Sequence, residues 1–382
     1  MSQIASVEVF RVEVPITRTF NFASGSAGAA GEKALVPFVK ITDDEDNYGW
    51  SDARPTPSWN YETADSIMST LTKYLAPAVI GTPVHDRWAL HDRMRRVIGT
   101  GPSTGMPLAK SALDVAVHDL AARAAGLTVR SYLGGSDQRR SLPLSWTVTA
   151  HDAASAKDDI SEALEGKFRH VNFKVGVQRD TDTDIAVLLR SAFPSGFVWA
   201  DANQSLSLRE ARLVAEQLRA AGTDVLEQPL RADLAFQMRS LRQATLLPLA
   251  ADESTVSAAD FFALAKEDCV DYLIVKVSRS GGLAPTLQQI AIAQAAGIDL
   301  LVSGLCDTFL TKLAACQVAV AAGYQGPAGL NGSQFIDESE LFPDKHSIEF
   351  EGMIHLNDEP GLGTAPDENA LRRWATDAVF VS

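Results

Sequence analysis

The chain of 382 residues has only three cysteines, Cys269, Cys306 and Cys316, an odd number without the spacing of a disulfide framework or a zinc site. That scarcity fits buried thiols in a reducing compartment, so a cytoplasmic protein is expected. Basic charge is also short. Lys and Arg number 34 against 48 Asp and Glu, a formal charge of -14 with no Lys/Arg-rich run to offset it. Such a surface repels polyanions, which argues against nucleic acid and anionic membrane as partners. No signal peptide or membrane span is visible: the opening MSQIASVEVFRVEVPI alternates apolar and polar residues like a half-buried strand. What is present, 46% apolar and 21% charged residues, is the composition of an ordinary folded protein and excludes extensive disorder.

The length accommodates a barrel of about 250 residues plus a second domain of about 100 or more. IASVEVFRVEVPI and LVPFVKITDDEDNYGWSDA, separated by the polar stretch NFASGSAGAAGEK, read as strands that fold back at an Asp/Asn/Gly turn. Helical patterns follow at about 60–79, 86–97 and 108–125, the last with Gly126 as C-cap. From LPLSWTVT onward, strand-like and helix-like segments alternate. Strands are expected at 142–148, 171–176, 197–202, 223–228, 247–252, 271–277, 298–304 and 327–334, with Ser207 and Ser257 as N-caps of intervening helices. The fold class expected is α/β, a (β/α)₈-type TIM barrel over 131–350 with an N-terminal α+β capping domain over 1–130. The segment 351–382 is expected to return to the capping domain.

Asp201, Glu227 and Asp252 each follow a short apolar run and lie about 25 residues apart, the length of one strand-helix unit of such a barrel. Lys174 in VNFKVG extends the series by one unit before Asp201, and Lys276 in YLIVKVS by one unit after Asp252. Alone, each acid reads as a helix cap or ion-pair member; the joint rhythm makes the five one site at the C-terminal mouth of the barrel. The carboxylates offer only hard oxygen donors, with no His or Cys beside them, which favours Mg²⁺ and allows Mn²⁺. A lysine serving as base must be neutral, and a nearby cation, a second lysine and burial each lower its pKa. Glu253 is a candidate partner for a lysine, and Asn203 and Gln228 are candidate supporting groups. His118 and His170 read as structural. Trp59, Asn60 and Tyr61 form a polar-aromatic loop suited to line a pocket, and SGSAGAAG, from Ser24 to Gly31, reads as a lid.

In family order and spacing, FKVG, DANQS, LEQPL, ADES and KVSRSGGL resemble the barrel motifs of the enolase superfamily, in its muconate-lactonizing (muconate cycloisomerase) subgroup. SALDVAVHDLAARAAG with YLGG resembles the end of that family's capping domain, and PGLGTAPDENAL its C-terminal return. The resemblance implies Mg²⁺ on Asp201, Glu227 and Asp252, Lys174 and Lys276 as the acid/base pair, closure of both capping loops over the mouth, and a homo-oligomer such as a dimer or octamer. Relatives that use a histidine on strand seven differ from this chain, which reads DLLVSGLCD there. Two departures stand out. Asn172 occupies a position where the subgroup has a second lysine, and Asp307 replaces the usual glutamate after strand seven.

Reactions of this family begin with proton loss beside a carboxylate and an enediolate; reprotonation from the opposite face needs two lysines, whereas loss of a β-leaving group needs one. Two are present, so the expected function is a racemase or epimerase of a small carboxylate, such as an N-substituted amino acid or a dipeptide. The alternatives are a lyase (dehydratase or cycloisomerase) and, in another class, a catalytically silent barrel that binds metal or carboxylate. Specificity is expected from the capping loops and from Ser303 to Thr308.

Overall fold

In the computed structural model, which describes residues 2–23, 25–101, 104–136, 138–177 and 179–382, the first strand, Ile4–Pro15, is central to a four-stranded antiparallel sheet. Its neighbours are Lys33–Asp43, itself paired with Tyr48–Asp52, and the C-terminal strand Ala375–Val381. The C-terminal strand thus pairs with the opening strand of the chain. Both faces of this strand are used: Val7 and Val9 are buried in one apolar cluster, Phe10, Val12 and Val14 in another, while Glu8, Arg11 and Glu13 stay partly exposed.

The helix Pro107–Ala124 is apolar on nearly all sides because it lies between the capping sheet and the barrel. Its few polar groups are all partnered. Asp119 accepts from the backbone N–H groups of Trp50 (2.8 Å) and Leu362 (2.6 Å), and His118 donates to the Asp114 carbonyl at 2.8 Å. His170 accepts from the Phe197 N–H at 3.0 Å. Both histidines are therefore structural.

Eight parallel strands follow, Ser145–Val148, His170–Lys174, Val198–Asp201, Val225–Glu227, Leu249–Ala251, Tyr272–Val275, Asp299–Ser303 and Ala328–Gly329, each hydrogen-bonded to the next. A parallel bridge between Leu144 and Ala328 joins the last to the first. The inner strands are buried along their length because helices cover the outside. Trp199, Val225, Ala250, Ile274 and Leu301 fill the interior as a separate apolar cluster, a packed floor beneath the site. Ser207 and Ser257 each cap a helix through a reciprocal capping box with Glu210 and Asp260, worth about 1 kcal/mol per cap.

Three elements differ from the sequence expectation. The segment 142–148 divides, because Ser141–Pro143 pairs with Met353–His355 and only Ser145–Val148 joins the barrel. The segment 327–334 is a two-residue strand followed by a 3₁₀ turn, Gly332–Gln334; at Gly332 a Cβ would lie 1.9 Å from the Asp307 carbonyl, so the chain bends against the preceding loop. The first capping helix starts at Ala64 rather than 60, where Thr63 supplies its cap.

Cap and barrel are also joined by a buried acid. Asp52, at the end of Tyr48–Asp52, accepts from the hydroxyl of Thr311 at 2.8 Å and its N–H at 3.3 Å, near the start of the helix Phe309–Ala321. Burial pushes its carboxyl up to about 7, reinforced by the charges of Asp307 and Glu338 and opposed by the Thr308 and Thr311 hydrogen bonds. The unfolded chain loses this proton near pH 4 while the folded chain keeps it to about 7. Folding stability therefore falls as pH rises across that window, by about 1.4 kcal/mol per unit from this group, and levels off above it. In Asp52→Asn that slope disappears. Urea midpoints of both proteins from pH 4 to 8 test this; parallel curves would exclude it.

Candidate active site

Lys174, Asp201 and Glu227 end three adjacent strands in one register, Lys174 opposite Asp201 and Asp201 opposite Glu227. Asp252 and Lys276 come one residue beyond the ends of the fifth and sixth strands. All five are buried and lie at the same end of the barrel. The Lys174 ammonium donates to Asp201 Oδ2 at 2.6 Å, and Lys276 donates to Asp252 Oδ2 at 2.7 Å with Glu227 Oε1 at 4.0 Å. Arg279 pairs with the other oxygen of Asp252. Glu227 Oε2 accepts from the Trp199 indole at 2.6 Å, while its Oε1 is buried without a hydrogen-bond partner, as are Glu253 Oε2 and Asn203 Oδ1.

The charges explain one another. Burial raises Glu227 well above the usual carboxyl range, and the charges of Asp201 and Asp252 raise it further. Burial acts on Asp252 in the same direction, yet Arg279 and Lys276 overcome it and hold that carboxyl well below its ordinary value. Glu253 is pushed up to about 7, chiefly by burial and then by Asp252. Burial alone would lower Lys174; the charges of Asp201 and Glu227 outweigh it and leave the amine above its ordinary value. The sequence reasoning anticipates a lowered lysine beside a cation. Without a cation, Asp201 holds Lys174 as an ammonium; the lowered amine belongs to the state with a cation bound.

The capping domain supplies the roof. The Trp59 ring lies over both amines, 5.2 Å from Lys174 Nζ and 4.6 Å from Lys276 Nζ, and its indole N–H donates to Glu253 Oε1 at 3.2 Å. Phe20 and Phe22 pack on Trp59, and Phe20 stacks on Phe335 at 4.6 Å. The described part of the expected lid, residues 25–31, begins with a short hairpin between Asn21–Phe22 and Gly25–Ser26; Ser24 lies outside the described residues. Gly25 permits the close approach, since a Cβ there would stand 2.7 Å from that of Ser58. Arg54, 2% exposed, donates to Ala27 O of the lid at 2.7 Å and to Cys306 O of the barrel at 3.0 Å, tying the two together.

Comparison with known proteins agrees with this architecture. Residues 153–370 match the family described as enolase C-terminal domain-like, and residues 5–134 match the mandelate racemase / muconate lactonizing enzyme N-terminal domain. The chain belongs to the enolase superfamily. Within it, a chloromuconate cycloisomerase of Cupriavidus necator is 31% identical over 327 residues, 84% of this chain and 86% of that one. An L-Ala-D/L-Glu epimerase of Bacillus subtilis is 28% identical over 324 residues, 84% and 85% of the two chains. A dipeptide epimerase from Cytophaga hutchinsonii, solved with Mg and the dipeptide D-Ala-L-Val, shares the fold over 100% of both chains, with a TM-score of 0.89 at 23% identity. The protein is thus an enzyme of the muconate-lactonizing subgroup, whose relatives include both cycloisomerases and epimerases.

Against that superfamily pattern, the remaining expected residues separate. Asn203, held at φ 39°, donates its amide to Glu253 Oε1 at 3.1 Å and its backbone N–H to Asp201 Oδ1 at 2.9 Å. Gln228 accepts from the Asp252 N–H and from Ser254, and so holds the loop after strand five. Asn172 Oδ1 accepts from Ser145 and Thr147 at 3.2 and 3.0 Å; the amide ties the first two strands together and adds no charge beside Lys174. Asp307 accepts from Ser278 at 3.1 Å and from the Leu305 N–H at 2.9 Å, bracing the turn that follows Lys276 without bonding a lysine. Among the described residues Ser303 makes only a long contact to Gly329 O, 3.4 Å. Tyr61 is not drawn in: it is 58% exposed, two residues from the buried edge of Trp59. Sequence reasoning missed Arg54, Trp199 and Arg279. Only Arg279 left a signal, as a second cation within the KVSRSGGL motif.

Trp59→Ala removes the roof over both amines and one of the two donors to Glu253 Oε1. Water then reaches the chamber, and kcat/KM for the native substrate is expected to fall about 10²-fold while the folded state persists. Steady-state kinetics with circular dichroism checks this; an unchanged kcat/KM would remove Trp59 from the site.

Proposed function

We propose that the protein is a divalent-cation-dependent racemase or epimerase acting at the carbon beside the carboxylate of a small acid, an N-substituted amino acid or a dipeptide. Asp201, Glu227 and Asp252 are the proposed ligands of Mg²⁺ or Mn²⁺, and Lys174 and Lys276 the acid/base pair. The observation that carries this is the placing of two buried amines under one indole ring, at 5.2 and 4.6 Å, each against one of the flanking carboxylates. Two amines on separate strands suit removal of a proton from one face and return from the other.

The donor set fits a hard cation. Asp201 and Asp252 lean towards the lysines, and among the described residues no three acidic, His or Cys groups are already gathered in chelating geometry. Yet Glu227 Oε1 is buried, unpartnered and flanked by two other carboxylates, an arrangement whose repulsion a cation relieves. A bound cation supplies positive charge to a substrate carboxylate as negative charge develops there. Were Asp201 to hold the cation, Lys174 would lose the partner that keeps it protonated and would be competent as a base. Trp59 and the lid exclude water from the exchange. Asn172, fixed by two hydroxyls, leaves Lys174 without a cationic neighbour on its own strand.

Cycloisomerisation or another β-elimination is a second reading, favoured by the 31% identity to the chloromuconate cycloisomerase. Incubation in deuterated water with a library of N-acyl amino acids, dipeptides and muconates separates the two. Deuterium incorporated with inversion at the α-carbon supports epimerisation. Ring opening, ring closure or loss of a leaving group supports the lyase reading, and no exchange with any acid in the presence of Mg²⁺ defeats both.

A further inference from the structure

A second cavity, of about 510 Å³, opens where the capping domain meets the barrel. Its walls carry Arg87, His91 and Arg95 of the helix Arg87–Val97, Lys110 of Pro107–Ala124, and Ser280 and Gly281 from the turn after Lys276. The rest of the wall is largely apolar, including Pro107, Ala284, Pro285 and Leu287, with Trp88 at the rim, 69% exposed. No acidic side chain is among its described lining residues, in a protein of net charge -14.

The positive charge of this wall is only partly answered inside the protein. His91 is paired, its Nε2 standing 2.6 Å from Asp114 Oδ2. Arg87 and Arg95 form no ion pair among the described residues. Lys110, 6% exposed, donates to the carbonyls of Ile98 (2.8 Å) and Thr104 (3.1 Å), two acceptors for an ammonium with three protons. The acid whose charge acts on it, Glu62, has both oxygens engaged by the Leu108 and Ala109 N–H groups. Thr104 Oγ1, also on the wall, is buried and unpartnered. Several cations, spare donors and an apolar lining in a volume within the usual 300 to 1,000 Å³ of ligand pockets specify an occupant that is both negative and apolar.

We propose that this cavity is a binding site for a small organic anion with an apolar body, such as an aryl carboxylate, separate from the catalytic chamber. The short turn Val277–Ser280 is the partition between the two: Arg279 faces Asp252 in the chamber, whereas Ser280 lines the cavity. The site does not depend on the proposed reaction.

Benzoate and its neutral isostere benzamide, titrated calorimetrically into the protein with Mg²⁺ present, test this. Three proteins are compared: wild type, Lys276→Ala, which alters only the chamber, and Arg87→Glu/Arg95→Glu, which reverses two exposed cations on the cavity wall without touching the core. Wild type and Lys276→Ala are expected to bind benzoate alike, the charge-reversed protein about tenfold or more weaker, and benzamide weaker than benzoate on wild type by a similar factor. The proposal is overturned by the absence of saturable benzoate binding, by benzamide binding as tightly as benzoate, or by binding that is lost in Lys276→Ala and kept in the charge-reversed protein.

Discussion

Lys276→Ala is expected to lower α-proton exchange by about 10² to 10⁴-fold, the range contributed by a positioned general acid or base. The ammonium is 2% exposed, roofed by Trp59 and set 2.7 Å from Asp252, so its place is shielded from bulk solvent. Lys174 ends the second barrel strand, on the other side of the acidic residues, and in the proposed mechanism serves the opposite face. In Lys276→Ala, a single enantiomer should still exchange its proton if Lys174 faces it, while its mirror image stops. Loss of a cation next to Asp252 does not remove a ligand, so Mg²⁺ affinity is expected to stay within about threefold. Lys276→Arg is the control for charge alone. A guanidinium keeps the positive charge yet does not deprotonate in proteins, so this variant should be as inactive as Lys276→Ala. Full activity in either variant would dismiss Lys276 as a proton carrier.

Glu227→Gln separates folding from cation binding in opposite directions. Without a divalent ion, burial and two neighbouring carboxylates disfavour ionised Glu227, so its pKa in the folded chain lies well above the ordinary 4.5. A carboxyl raised in this way costs the folded state stability as pH climbs from the unfolded value upward. Glutamine reproduces the protonated form in shape and still accepts from the Trp199 indole. At pH 8 with EDTA, the variant is therefore expected to be at least as stable as wild type. Saturating Mg²⁺ reverses the order. A ligand that binds only the folded chain adds about 2.7 kcal/mol at 100 times its dissociation constant, and wild type should gain a corresponding rise in Tm. Glutamine keeps one neutral oxygen and loses the charge, so most of that rise should vanish. Thermal melts of both proteins with and without Mg²⁺ settle the matter; an equal rise in both would remove Glu227 from the ligand set.

The contrast between neighbours on the chain is instructive about what pattern can reveal. Ser207 and Ser257 were readable as caps because the signal and its partner lie within three residues. Trp59 and Tyr61 have similar chemistry and adjacent places in one loop, yet one seals the chamber and the other faces water. No period relates loop residues to an inside and an outside, so their sequence carries no such information. The eighth strand was overestimated for a related reason: Ala328, Gly329 and Leu330 are apolar enough to continue, and only the approach of Gly332 to the Asp307 backbone turns the chain.

The sequence by itself determined the alternation of strands and helices, the antiparallel start and the five ionisable groups at successive strand ends. These follow from local rules: a strand-helix unit has a set length, and a charge closing an apolar run marks the mouth of a barrel. Tertiary structure alone decided that Arg54 joins residues as remote as Ala27 and Cys306, that Arg279 shares Asp252 with Lys276, that Asp307 braces Ser278, and that cations gather without acids around a second cavity. Each depends on segments tens to hundreds of residues apart meeting at a few ångströms. Hydrogen bonds and screened charges act only over such distances, and one-dimensional spacing does not encode them.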